Sequence, residues 1–236
     1  MTTPAIEFKK VFFRYESQWI LKNVSFEIAP CDFVTITGRN GGGKSTLLHL
    51  ILGLYQPNAG NVRIFGLPPP LQNHEKIGYV PQDVNANKNF PITVRDVVRM
   101  GRLRLHPDEK LVDETLETVG MQNYAGEKIS ALSQGQRQRV LIARSLVMQP
   151  KILVLDEPAA SIDAEGQKTL SAVLERIKGT MTVLVVSHGL ELVSGYTTRM
   201  MCVDQTVHFH NTTVIPAFEK IEGGCTIEKL ENRLGG

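Results

Sequence analysis

At 236 residues, 42% hydrophobic and 21% charged, the chain has the composition of an ordinary globular protein, long enough for one domain with a lobe or two small domains. A formal net charge of +2 and no long basic run exclude an electrostatic case for nucleic acid, which is not expected as a partner. Apolar runs stay short of a membrane span, Met1-Thr2-Thr3-Pro4 lacks a basic-then-apolar leader, and Cys31, Cys202 and Cys225 form no metal pattern and fit a reduced, cytosolic chain.

Ile6-Glu7-Phe8 and Val24-Ser25-Phe26-Glu27-Ile28 alternate and predict antiparallel strands. Tyr15 lies between them and is compatible with core packing or with stacking on a nucleotide base. Phe12 and Phe13 are placed in the core or the sheet. Phe33-Val34-Thr35-Ile36-Thr37 predicts a buried strand. Gly38-Arg39-Asn40-Gly41-Gly42-Gly43-Lys44-Ser45-Thr46 follows and fits the phosphate-loop pattern G-x-x-x-x-G-K-[ST]. Its glycines let backbone N–H groups turn inward around a polyphosphate, and the next helix start adds positive dipole. Lys44 can reach β- and γ-phosphates, and the Ser45 hydroxyl can ligate Mg²⁺. Leu47 to Leu52 predicts a buried helix stopped by Gly53.

Pro57-Asn58-Ala59-Gly60 predicts a turn, and Val62 to Phe65 and Ile77 to Val80 predict strands. Gln82 follows Pro81; alone it is a loop residue or a carboxamide ligand for Mg²⁺ or water. From about residue 88 the pattern becomes helical: Thr93 caps a short helix, and Asp108 to Val119 is amphipathic and stopped by Gly120. Ser133 caps a helix reaching Val147 or Met148. Read alone, Leu132-Ser133-Gln134-Gly135-Gln136 is a plain cap or a second anion-binding helix start.

Ile152-Leu153-Val154-Leu155 is a continuous apolar run suited to a buried parallel strand. Asp156 and Glu157 stand at its C-terminal end, where open α/β sheets place ligands. Asp156 can hold Mg²⁺ through water, and Glu157 can orient or deprotonate an attacking water. Ala164 to Lys178 predicts a helix and Thr182 to Val186 a buried strand. His188 follows that strand, placed either to contact a γ-phosphate or simply to sit in a loop. Arg199 to Val203 and Thr206 to Phe209 predict closing strands, with His208 and His210 on the surface. Residues 211–236 have no clear pattern.

Taken together, the motifs resemble the nucleotide-binding subunit of ATP-binding cassette transporters over about residues 5–210. Tyr15, Gly38 to Thr46, Gln82, Ser133 to Gln136, Asp156-Glu157-Pro158 with Ala160 to Asp163, and His188 occur in the family's order. The resemblance implies an α/β phosphate-loop NTPase core, a mixed sheet with an antiparallel β subdomain, and an inserted helical subdomain. It implies a catalytic core at 5–87 and 150–210, a helical signature subdomain at 88–149 and a C-terminal tail at 211–236.

The resemblance further implies an ATPase, with ATP and Mg²⁺ as ligands. Glu157, Gln82 and His188 would be catalytic. Tyr15, Gly38, Asn40, Gly41, Gly42, Gly43, Lys44, Ser45 and Thr46 would bind ATP. Ser45, Gln82 and Asp156 would hold Mg²⁺. Ser133, Gln134, Gly135 and Gln136 would meet the ATP of a second copy in a head-to-tail homodimer, with Asp163 at the dimer contact. Membrane permease subunits would dock near 82–106, an extracytoplasmic solute-binding protein would belong to the system, and the chain would sit peripherally on the cytoplasmic membrane face. The segment from Phe90 to Arg102 is similar to that of ATPases serving zinc, manganese and iron-chelate importers. A zinc or manganese importer is favoured; an iron-siderophore or cobalamin importer, or a non-transport cassette ATPase, is the alternative. The sequence departs from the family pattern at Gln134, where a glycine is usual, at Gly189, where an aspartate is common, and at Cys31.

Overall fold

The computed structural model describes residues 2–69, 76–82, 91–102, 108–160, 162–187 and 195–211. The expectation for His188 lies outside the described residues, as do parts of the segment expected to meet the permease and all but the first residue of the tail. The chain divides into two compact units, Met1–Gln72 with His188–Gly236, and Asn73–Ser187.

In the first unit, β1 (Ile6–Tyr15) pairs antiparallel with β2 (Gln18–Ile28) and with β4 (Ala59–Ile64). Ile6, Phe8, Val11 and Phe13 of β1 are buried. Phe8 stacks on its cross-strand partner Phe26 with centroids 4.5 Å apart, a contact of the kind that fixes strand register. The strand runs further than its alternation suggests because register shifts between Phe8 and Phe13 interrupt the period. Tyr15 therefore ends a strand instead of lying between two. Ala59 and Gly60, expected in a turn, belong to β4.

The unit's second layer is β3 (Phe33–Thr37), parallel to β8 (Arg199–Asp204), which is antiparallel to β9 (Thr206–Asn211). β3 is buried from Phe33 to Ile36, as an apolar parallel strand requires. It leads through the glycine-rich loop into α1 (Lys44–Ile51), whose apolar side chains Leu47, Leu48, Leu50 and Ile51 are fully buried. Gly53, at φ 69, ends the helix, a left-handed turn that glycine adopts without steric cost. His208 is exposed, but His210 is half-buried, and its Nε2 has no hydrogen-bond partner. Burial pushes the His210 imidazole pKa down.

The second unit carries parallel strands β5 (Ile77–Val80), β6 (Ile152–Asp156) and β7 (Thr182–Val186), with β6 in the middle. Its helices are α2 (Val94–Arg99), α3 (Glu109–Thr118), α4 (Gln134–Leu146) and α5 (Ala164–Ile177). Each is capped by the side chain expected of its type: Thr93, Asp108, Ser133 and Asp163 accept a backbone N–H three residues on. Two arginines close the other end of α3. Arg139 of α4 donates to the carbonyls of Val119 and Gly120, and Arg176 of α5 donates to those of Glu117 and Thr118. Cations at a helix C-terminus satisfy orphan carbonyls and complement the dipole.

An ion network joins α2 to α3. Arg99 holds Glu109 at 2.7 Å and Asp96 at 3.2 Å, and Arg95 reaches Glu109 and Asp113. The Arg99 hydrogen bond lowers the Glu109 pKa, and the Thr93 hydroxyl lowers that of Asp96. Carboxyls with depressed folded pKa values stabilise above their unfolded values and lose that contribution as pH falls through the folded ones. Arg99→Gln should therefore melt below the parent at pH 7, and the gap should narrow below about pH 4. Thermal melts from neutral to acid pH check this; a constant gap would mean that the ion pairs do not carry the difference.

Candidate functional site

Each unit carries part of the predicted chemistry, and each part is built differently. In the first unit the loop after β3 is held from behind by the turn between β8 and β9. A Cβ built on Gly38, whose φ is 145, would collide with the Val203 carbonyl oxygen, and one on Gly42 would lie 2.7 Å from it. Gln205, at the turn, donates its N–H to the Gly42 carbonyl at 2.9 Å and accepts from the Lys22 N–H at 2.7 Å. The Arg39 guanidinium pairs with Asp204 at 2.9 Å. Within the loop, Gly42 N–H donates to the Arg39 carbonyl.

Lys44 is almost fully buried, and its ammonium donates to the carbonyls of Gly38 at 2.8 Å and Arg39 at 3.1 Å. A buried cation is thereby held within the loop by groups that compensate its desolvation. Gly43 starts α1 at φ 107, with no side-chain cap on the helix. The first-turn N–H groups are thus not taken by a capping side chain, which is the chemistry a phosphate requires. Ser45 is exposed and Thr46 buried. Loop, lysine and uncapped helix start fit a polyphosphate. Tyr15 is 43% exposed, with its hydroxyl 3.5 Å from Thr46 Oγ1.

In the second unit, β6 delivers Asp156 and Glu157 to its C-terminal end. The Tyr79 hydroxyl donates to Asp156 at 3.5 Å. Burial, and then the Asp156 charge, push the Tyr79 pKa up to about 12. Tyr79 therefore stays protonated as a donor at neutral pH. Glu157 has φ 48, a left-handed backbone that a side-chain-bearing residue rarely adopts. Its N–H is anchored on the Val186 carbonyl of β7 at 3.0 Å. Val80 of β5 pairs with Leu155 of β6, so Gln82 and Glu157, each two residues further on, leave the same end of the parallel strands. Gln82 is exposed. The Asp156 carboxylate and Gln82 carboxamide oxygens of this unit are hard donors of the type Mg²⁺ takes, and so, taken by itself in the first unit, is the Ser45 hydroxyl.

The start of α4 lies against the start of α5. Ser133 and Gln136 form a reciprocal capping box, with the Ser133 N–H donating to Gln136 Oε1 at 2.8 Å and the Gln136 N–H donating to Ser133 Oγ at 3.3 Å. Ile162 packs between the helices: a Cβ on Gly135 would lie 3.2 Å from its Cγ2, and one on Gly166 would collide with it. Asp163 caps α5. Ser133 and Gln134 are exposed, so the Gln134 side chain faces outward instead of into the packing.

The structure thus brings Gly38 to Thr46 together with Tyr15 in one unit. It brings Gln82, Asp156 and Glu157 to one strand end in the other, where Ser133 to Gln136 adjoin Asp163. Sequence reading missed Val203, Asp204 and Gln205 behind the loop, and Tyr79 on Asp156. Arg39 and Asp204 are 165 positions apart, so no local pattern links them.

The family model for ABC transporters matches residues 21–160. A Chlamydia pneumoniae protein named as a probable metal transport system ATP-binding protein is 39% identical over 206 residues, covering 83% of this chain and 84% of that one. The zinc uptake system ATP-binding protein ZurA of Listeria monocytogenes is 36% identical over 216 residues, covering 86% and 84%. Among solved structures, cbiO1 of Clostridium perfringens, part of the ABC transporter complex cbiONQ, superimposes with a TM-score of 0.80 at 28% identity, covering 99% and 96%. The chain belongs to the ABC transporter family, as an ATP-binding subunit with the α/β phosphate-loop NTPase fold.

The brace behind the loop makes a direct prediction. Gly42→Ala forces the loop away from Val203, and overpacking of this kind costs about 1–3 kcal/mol. Calorimetric titration with ATP should show affinity reduced by about tenfold or more, with a lowered melting temperature. Unchanged ATP affinity would mean that the loop's contact with the hairpin turn does not set its shape.

Proposed function

We propose that the chain is the ATP-hydrolysing motor of a membrane importer whose cargo is a transition metal ion, zinc or manganese. The observation that carries the motor reading is the pairing of two different helix starts in one chain. One is uncapped and follows a glycine loop holding a buried lysine. The other is capped by its own serine and exposed. A cis phosphate site and a trans surface for a second copy's nucleotide account for both. Support for the cargo comes from the names of the relatives, which are metal and zinc transport proteins across most of the chain's length.

In this reading Tyr15 stacks on adenine, and the loop from Gly38 to Thr46, Asn40 included, receives the phosphates with Lys44. Mg²⁺, when bound, would supply positive charge to offset that of the phosphates. Ser45, Gln82 and Asp156 are the residues that hold it, with Tyr79 fixing the Asp156 carboxylate. Glu157 takes the proton of the attacking water, and its anchored left-handed backbone fixes where that carboxylate starts from. His188 contacts the γ-phosphate.

Ser133, Gln134, Gly135 and Gln136 face the ATP of the partner copy in a head-to-tail homodimer, with Asp163 at the contact. The core at 5–87 and 150–210 does the chemistry, the helical subdomain at 88–149 carries the trans surface, and 211–236 is a tail. Permease subunits dock near 82–106, and an extracytoplasmic solute-binding protein delivers the metal. No helix among the described residues is long and apolar enough to cross a membrane; in this reading the chain works peripherally, on the cytoplasmic face.

Glu157→Gln keeps the size of the side chain and removes its capacity to accept a proton. ATP should still bind and hold the dimer together in size-exclusion chromatography, while turnover falls by about a hundredfold or more. Turnover at the parent rate would remove Glu157 from the role of base.

A further inference from the structure

We infer that Tyr55 is a positioning residue for nucleobase recognition: its ring fixes the plane of Tyr15 and ties it, through α1, to the phosphate loop. The inference rests on the reading of Tyr15 as the base-stacking residue. An aromatic side chain at the exposed end of a strand has several rotamers open to it, and ordering one of them costs entropy. Stacking on a base needs a ring already held in a fixed plane, since aromatic contacts gain energy only in particular relative orientations. Something must therefore hold Tyr15.

Two rings do so. Phe13 meets Tyr15 at a centroid distance of 5.0 Å and an interplanar angle of 87°, and Tyr55 meets it at 5.7 Å and 86°. Phe13 and Tyr55 are themselves stacked, 5.4 Å apart and 23° from parallel. Tyr15 thus stands perpendicular to a two-ring wall. Phe13 belongs to the same strand and is buried. Tyr55 comes from a different element.

Tyr55 is itself fixed to α1. The chain turns at Gly53, and the N–H groups of Leu54 and Tyr55 both donate to the His49 carbonyl, at 2.9 and 3.3 Å. The His49 ring meets the Tyr55 ring edge-on at 5.0 Å and 84°. The first turn of the same helix holds Lys44, Ser45 and Thr46, and Thr46 Oγ1 lies 3.5 Å from the Tyr15 hydroxyl. An eight-residue helix is about 12 Å long and rigid. Its start receives the triphosphate and its end orients the ring that receives the base. The partner is therefore a nucleoside triphosphate read at two points whose separation α1 fixes.

The test is steady-state hydrolysis by the 236-residue chain carrying Tyr55→Ala, Tyr55→Leu, Tyr55→Phe or Tyr15→Ala. Inorganic tripolyphosphate, which has no base, serves as competitive inhibitor. Tyr55→Ala and Tyr55→Leu should raise KM for ATP about three- to tenfold, with kcat and the tripolyphosphate inhibition constant within about twofold of the parent. Tyr55→Phe keeps the ring and should keep the parent KM. Leucine preserves apolar bulk, so the leucine variant reports on the ring even where alanine loosens the fold. If Tyr15→Ala raises KM and neither Tyr55→Ala nor Tyr55→Leu does, the base platform stands and the role of Tyr55 is overturned. If Tyr15→Ala also leaves KM unchanged, the base-stacking reading falls and this inference with it. A parallel rise in the tripolyphosphate constant, or a Tyr55→Phe variant as impaired as Tyr55→Ala, would also overturn it.

Discussion

The carbonyl oxygen of Val203 occupies the space that a side chain at Gly38 or Gly42 would need. That steric constraint limits the shapes open to the phosphate loop. Glycines make a loop permissive, but permissiveness alone gives many conformations. Here the turn between β8 and β9 selects one of them. It presses a carbonyl against the loop, donates the Gln205 N–H to Gly42, and pairs Asp204 with Arg39. The Arg39–Asp204 pair is surface-exposed, and such pairs contribute little, about 0–1 kcal/mol. Steric contact and the backbone hydrogen bond are the stronger constraints. Lys44 then folds over the loop's own carbonyls, so its buried charge is compensated within the loop.

The second unit uses strain and polar anchoring instead of glycine. Glu157 leaves β6 with a left-handed backbone, a conformation that costs energy and persists only where its surroundings enforce it. The hydrogen bond to Val186 of β7 supplies that enforcement. One residue earlier, Asp156 accepts from Tyr79, so both acids are held by neighbouring parallel strands. A buried three-strand core thus becomes a fixed presentation of two carboxylates. The α4 helix start is organised by a different device, a reciprocal capping box packed through Ile162 onto α5.

What the sequence made legible was local. The strand, glycine loop and helix from Phe33 to Ile51 are contiguous, and each junction carries its own chemistry. The Thr93 and Ser133 caps are short-range patterns and form as read, while the caps at Asp108 and Asp163 emerge only in the structure. β1 outruns its alternation because a positive φ at Lys10 and the nearby register shifts break the two-residue period. Gly60 looked like a turn residue, yet its positive φ and its tight approach to the Lys10 carbonyl belong to a strand. The hairpin brace and the Tyr55–Tyr15 contact were illegible for another reason: their partners are brought together by folding, with no sequence spacing to announce them. The candidate site was legible wherever one motif supplied the whole group, as at Lys44 and Glu157. It was not legible where a distant residue does the holding.

In the function proposed above, ATP turnover by this chain drives uptake of a transition metal. The most direct test is the metal content of cells in which Glu157→Gln replaces the native chain, grown in metal-limited medium, with zinc, manganese and iron quantified together. Zinc or manganese should fall selectively. Unchanged levels of both, or a rise in either, would contradict that function.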